Sequence, residues 1–322
     1  MFKKSLIAAV LAASSFAAHA GAVITIDPDG AGGGGSYQVS GLDWNANTVL
    51  VTPTGINALG GPASANAANP NGGDILQSYA QAALSVFNDD NGAIGVTGLN
   101  STFEWTFVAG FREVVSSFIG VPGNGTVQLT TIGGGENFFR VYAGAKDSNT
   151  LAGTGYGNGT LVMEGTILTY NPATQRGKTT FTTDGQTTGA LDQFGTNNYP
   201  SIQSVTGSGS GTIDLVVNSV NSDYIQGLSV GSIMSLFLDT QVNDPFKQVN
   251  PSAKVTKADG TLLDATSLAS VGAVNGVTGP NFVLQSDATS SFDLNKVPEP
   301  ATLALAGVAL FGVHLSRRRS SK

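Results

Sequence analysis

The side chains able to do acid–base chemistry in this chain are carboxylates. Cysteine is absent, and the two histidines, His19 and His314, lie in the terminal segments. Ser-His-Asp and Cys-His nucleophiles, His-ligated zinc and thiolate sites are therefore excluded from the long stretch between them. Glycoside hydrolysis survives, because it needs only two carboxylates. Glu104, Glu113, Glu136 and Glu164 are the only glutamates before Glu299. Glu104 falls opposite an apolar strand face and Glu164 within another alternating run, so a sheet could present them together. The plainer reading is that both decorate a solvated sheet face, since charge this sparse gives little to tune an acid against a base. No catalytic residue is assigned, and the chain is read as non-enzymatic.

Two further groups could bind. Asp27-Pro28-Asp29-Gly30 places alternating carboxylates on a turn, and Asp27 and Asp29 are candidate calcium ligands. The remainder of an EF-hand loop is missing, and the simpler reading is an acidic β-turn opening the first strand. Asp147-Ser148-Asn149 and Asp89-Asp90-Asn91 read as hairpin connections. Trp44, in Gly41-Leu42-Asp43-Trp44, is the candidate exposed aromatic for stacking on a sugar, with a place in the core as its default. Trp105 alternates with Phe103 and Phe107 and belongs to the core. Gly177-Lys178-Thr179 is no phosphate loop, because the glycine required five residues earlier is Pro172.

Charge narrows the partners. Residues 21–297 carry nine Lys/Arg against 21 Asp/Glu, a net charge of −12, compared with −7 for the whole chain. No basic cluster occurs there, which disfavours nucleic acid. Cations and neutral sugars are more plausible companions. Without disulfides this stretch must fold on packing alone or with bound ions.

The elements that would position these residues are short alternating segments. Ser101 to Val108 puts Phe103, Trp105 and Phe107 on one face and Glu104 and Thr106 on the other. Thr126 to Ile132, Phe138 to Tyr142, Leu161 to Leu168, Thr179 to Thr183, Gly211 to Val220 and Ser232 to Leu238 read alike. Gly/Asn/Asp turns separate them. Ile75 to Phe87 permits a helix, but it runs straight into an Asn/Asp/Gly turn and is read as a long strand. Gly60 to Gly73, Gly207 to Gly211 and Ser270 to Gly279 read as loops, and Gln285 to Lys296 as a polar tether. The expectation is a mainly β fold, an antiparallel β-sandwich of jelly-roll character. It occupies residues 21–284 and is followed by a linker over 285–296.

The two ends read as addresses. Lys3 and Lys4 precede a short apolar core, Leu6 to Phe16, and Ala18-His19-Ala20 offers small residues at Ala18 and Ala20. This predicts a signal peptide over 1–20, cut by signal peptidase. Ala301 to Leu315 is an uncharged run followed by Arg317, Arg318, Arg319 and Lys322. As a helix it covers roughly 22 Å at about 1.5 Å per residue, short of a hydrocarbon core of about 30 Å. It is read as a short transmembrane helix over 301–315 that engages the membrane transiently, with its basic end cytoplasmic. Just before it stands Pro298-Glu299-Pro300, an extended segment suited to presentation to a processing enzyme.

The proline-flanked glutamate, the Ala/Leu/Gly-rich span and the arginine cluster, together over 297–322, resemble the PEP-CTERM sorting signal of Gram-negative bacteria. The resemblance implies recognition by exosortase, an integral membrane transpeptidase or protease. It also implies a link to exopolysaccharide, biofilm and floc formation, with transit through the inner membrane to the cell surface or extracellular matrix. A second resemblance covers much of residues 21–170. Ile26 to Gly30, Leu42-Asp43-Trp44, Phe103 to Thr106, Gly110 to Val115 and Asp147 to Gly155 are similar to segments of flocculation-associated PEP-CTERM proteins. It implies no catalytic residues. A carbohydrate-binding module, calcium-assisted or not, is the alternative, and a secreted glycosidase is a more distant one.

Overall fold

The computed structural model describes residues 23–32, 35–67, 69–121, 123–184 and 188–293. Both terminal addresses, including Ala18, Ala20, Pro298, Glu299, Pro300, Arg317, Arg318, Arg319 and the 301–315 helix, lie outside the described residues. Ten longer strands form the main sheet, β1 (Gly41–Asn57), β2 (Asp74–Asp89), β3 (Phe103–Val121), β4 (Asn124–Thr131), β5 (Phe138–Ala145), β6 (Thr160–Ile167), β7 (Lys178–Asp184), β8 (Gly207–Val220), β9 (Ile233–Asp244) and β10 (Phe282–Asp293), with the short Gly92–Ile94 as an eleventh beside β2. Every pairing among them is antiparallel.

The expected antiparallel architecture is present, and hydrogen bonding closes it on itself. The long strands β3 and β8 each serve two partners in succession. Residues 103–110 of β3 pair with β5, while residues 113–121 pair with β4. Residues 215–220 of β8 pair with β6, and residues 207–212 with β7. Around the remaining circuit β8 pairs with β9, β9 with β10, β10 with β1, β1 with β2 and β2 with β3. The result is a barrel eight strands round at each end, with the β5–β6 pair completing one end and β4–β7 the other. Register shifts at Val115/Ser117 in β3 and Val217/Ser219 in β8 lie a few residues beyond the points where the partners change, as bulges that bend a strand.

Closure also answers for the glycines at the start of β8. Residues 207–211 are strand and not the loop expected from their Gly-Ser composition. A Cβ on Gly209 would fall 2.2 Å from the Thr180 carbonyl oxygen, so only glycine lets β7 approach this closely.

Eight strands leave an interior just wide enough for side chains. Trp44, Leu84, Phe87, Trp105, Phe107, Phe139, Leu215 and Met234 fill the β5–β6 end. Trp44 meets Phe107 edge-on at 4.9 Å between centroids, and Phe87 meets Trp105 at 5.2 Å. The strand Ile24–Ile26, paired with Tyr37–Val39 and Ile225–Gln226, adds Ile24, Ile26, Val39 and Ile225 to that cluster.

The outer face of one wall is covered as well. Residues 188–204 and 246–281 supply Leu191, Ile202, Phe246, Val255 and Val271, which pack on Leu50, Tyr79, Val108, Phe138 and Val283. Strand β2 is consequently buried over nine successive residues, Asp74 to Ala82, as expected for a strand covered on both faces. The Ser270 to Gly279 stretch is not all loop: it holds the end of the short helix Leu268–Val271 and the strand Val274–Asn275.

The polar tether is corrected over most of its length. Residues 285–293 are the body of β10, hydrogen-bonded between β9 and β1, so the folded domain extends past 284. Its polar side chains are held by distant partners. Gln285 Oε1 accepts from the Lys247 and Gln248 backbone N–H groups, both at 3.0 Å.

Candidate functional site

The four glutamates occupy four separate environments. Glu104, on the outer face of β3, is only 2% exposed, which corrects the solvated face expected for it. Its carboxylate accepts from the backbone N–H groups of Asp147 (3.0 Å) and Ser148 (2.7 Å) and from the Ser148 hydroxyl (2.5 Å), and Lys146 Nζ lies 3.0 Å away. Burial works against its charge. The Ser148 hydroxyl, the two N–H groups and the Lys146 ammonium together outweigh that, and hold the carboxyl below the ordinary glutamate range. Glu164 pairs with Arg140 at 2.7 Å, and both side chains are partly exposed. Glu136, in the loop before β5, accepts from the Ala258 N–H at 2.9 Å and ties the outer layer to the barrel.

Glu104 and Glu164 are not brought together. Glu104 stands opposite Gly144, and Glu164 opposite Arg140 on the other edge of the same strand β5. Four residues along and two strand spacings across separate their backbones by roughly 16 Å. A glycosidase pair needs its carboxyl groups about 5–9.5 Å apart.

The binding candidates are placed just as clearly. Trp44 is fully buried, and its indole N–H donates to Ser290 Oγ at 2.8 Å. The exposed-aromatic reading is thereby corrected, because the alternation of Leu42 and Trp44 points both inward. Asp27 and Asp29 bind their own turn. The Asp27 carboxylate accepts from Gly32 N–H (2.9 Å), and Asp29 accepts from Ala31 N–H (3.0 Å). The Ala31 N–H, then the Asp27 side chain, lower the Asp29 pKa. Among the described residues, no group of three or more His, Cys, Asp or Glu could hold a metal ion.

Several of the segments singled out in the sequence meet at the β5–β6 end. Glu104 anchors residues 147–148, Trp105 donates its indole N–H to the Pro28 carbonyl at 2.8 Å, and Trp44 packs on Phe107. A Cβ on Gly153 would fall 1.8 Å from the Lys254 carbonyl oxygen, so the 147–155 loop is seated tightly under the outer layer. These residues build a junction.

Glu113 is the residue that sequence reasoning left without a role. It lies on the inner face of β3, 1% exposed, within the β4–β7 end of the barrel. A cavity of about 80 Å³ occupies this end, lined by Val49, Leu76, Phe111, Val127, Leu129, Phe181, Leu238 and Phe282 among others. Ser78 Oγ donates to one carboxyl oxygen at 3.0 Å and Thr179 Oγ1 to the other at 2.9 Å. Burial pushes the Glu113 carboxyl up to about 7, against the opposing pull of those two hydroxyls. Its signal was available: stepping by two from Phe103 through Trp105, Phe107, Ala109 and Phe111 lands on Glu113.

Among the described residues, no helix is long and apolar enough to cross a membrane. No curated protein and no solved structure matches the chain. The family model described as the PEP-CTERM protein-sorting motif matches residues 296–319. That match covers the proline-flanked glutamate, the apolar run and the arginine cluster: the chain carries a PEP-CTERM sorting motif, which indicates an exosortase-sorted exported protein.

Proposed function

We propose that the exported body is a non-enzymatic surface or extracellular-matrix protein, acting with exopolysaccharide in cell aggregation, floc or biofilm formation. The observation that carries the reading is the sorting motif at 296–319, which directs the chain to the surface where such material is assembled. The body suits that place. It is acidic and free of cysteine and histidine, and its two most plausible catalytic carboxylates are engaged in separate structural contacts. Its fold is closed by hydrogen bonding all the way round, and so exposes little unpaired strand edge to proteolysis or misassembly outside the cell. Signal peptidase acts at Ala18–Ala20 on the way out.

Deleting residues 297–322 tests it. The truncated protein is expected to be mis-sorted and flocs to be reduced when the strain is compared with its parent in a settling assay. Normal flocs from a strain with demonstrably mis-sorted protein would overturn the reading.

A further inference from the structure

We propose that the β4–β7 end of the barrel is a binding site for a small aliphatic amine, its alkyl chain in the apolar cavity and its ammonium group on Glu113. The cavity lining is mainly apolar, with Ser and Thr residues and the Glu113 carboxyl set into it, and eight-stranded barrels have room inside for one small ligand. Its volume of about 80 Å³ is roughly half that of a dry cavity of about 150 Å³ able to take benzene. That suits a chain of one or two carbons.

The hydrogen-bonding capacity of the site selects the head group. Ser78 and Thr179 have already given their hydroxyl protons to Glu113. Thr183 Oγ1 sits against the Gly125 backbone, and Ser286 Oγ donates to the Asp287 carbonyl. Glu113 accepts one of these bonds on each oxygen and keeps further lone pairs on both. Once Glu113 is ionised, those free lone pairs favour a ligand group that donates. Among the described residues, Glu113 is also the one ionisable side chain in the lining, and its shifted pKa has burial, Thr179 and Ser78 as its causes. A carboxylate so placed has no counter-charge, and an ammonium supplies it where a neutral alcohol does not. Binding would release the Glu113 proton to solvent and leave a carboxylate–ammonium pair.

The test is titration of the protein with ethylamine and ethanol at pH 5.5 and 8.5, followed by NMR of the methyl groups lining the cavity. Ethylammonium keeps its charge at both values, while Glu113, titrating at about 7, is largely ionised only at the higher one. Amine affinity is expected to rise by roughly thirtyfold from pH 5.5 to 8.5, the ratio of ionised fractions, with ethanol affinity nearly unchanged. Glu113→Gln should remove the pH dependence, and Val127→Phe, which fills the cavity without touching the carboxyl, should abolish binding of both. Absence of amine binding at pH 8.5 would overturn the proposal. So would equal pH responses of amine and alcohol, or amine binding that survives Val127→Phe.

Discussion

Strand β3 carries two buried glutamates nine residues apart, and the two ends of the barrel treat them in opposite ways. Glu104 at the β5–β6 end faces outward into a loop that surrounds it with donors and a lysine, and its pKa falls. Glu113 at the β4–β7 end faces inward among hydrocarbon with two hydroxyls, and its pKa climbs to about 7. Both are nearly inaccessible to water. The difference is one of depth and of partners: Glu104 lies near the surface beside the partly exposed Lys146, and Glu113 in the barrel interior. Desolvation opposes the charge in both places, and only Glu104 has enough charge-stabilising contacts to overcome it. The same contrast runs through the packing. One end is filled by two tryptophans and three phenylalanines, while the other leaves about 80 Å³ empty beside its carboxyl.

The largest way to break this comparison is to empty the filled end. Trp105→Ala removes a fully buried indole that stacks edge-on to Phe87 and bonds to Pro28. It is expected to cost about 3–5 kcal/mol, the range for large aromatic truncations in cores. Urea denaturation of the variant would check it, and a loss below about 1 kcal/mol would mean that this end is not the packed one.

A change at the other end is expected to have the opposite sign. In the folded protein Glu113 holds its proton up to about 7, whereas in the unfolded chain it titrates near 4.5. Between those values the folded state binds more protons, so stability falls as pH rises through the window. Below about pH 4.5 nothing is lost, and above 7 the penalty is complete, on the order of 3 kcal/mol. Glu113→Gln keeps the shape and can still accept from Ser78 or Thr179. It is expected to stabilise the protein by up to that amount at pH 8 and to change little at pH 4. Urea midpoints at the two pH values decide it: equal effects at both would place the ionised form at no disadvantage.

How much of this was legible beforehand depended on which faces of a strand were covered. Phe103, Trp105 and Phe107 announced β3 because its early outer face carries Glu104 and Thr106. Strand β2 was harder, since inner Leu76 and Leu84 and outer Tyr79 are all buried and the alternation disappears. Strand β10 read as a tether because its inner face carries Ser286 and Ser290 as well as Phe282 and Phe292. Those serines are buried, and Ser290 takes the Trp44 indole proton from 246 residues away. Local composition cannot reveal such a partner. Glu104 was misplaced for a related reason: a loop distant in sequence turns a seemingly exposed position into a buried one, whereas Trp44 takes the core place that was its default. The cavity depends on closure at both ends, which no single segment encodes.

The smallest effect should come from Glu104→Gln, and it sharpens the comparison most. The amide keeps one oxygen to accept from the Asp147 and Ser148 N–H groups, but it surrenders the charge that Lys146 and the Ser148 hydroxyl now meet. Lys146 is itself one-third exposed, so part of its attraction is already screened by water. A loss of about 1–2 kcal/mol is expected at pH 7. Because the folded pKa is depressed, this stabilisation is present above the unfolded value near 4.5 and disappears as pH falls through the folded one. The Gln variant and the parent should therefore converge in stability on acidification, whereas at Glu113 variant and parent diverge as pH rises. If Glu104→Gln instead gained stability at neutral pH, the loop at 146–148 would not compensate the buried charge, and the two glutamates would belong to one class.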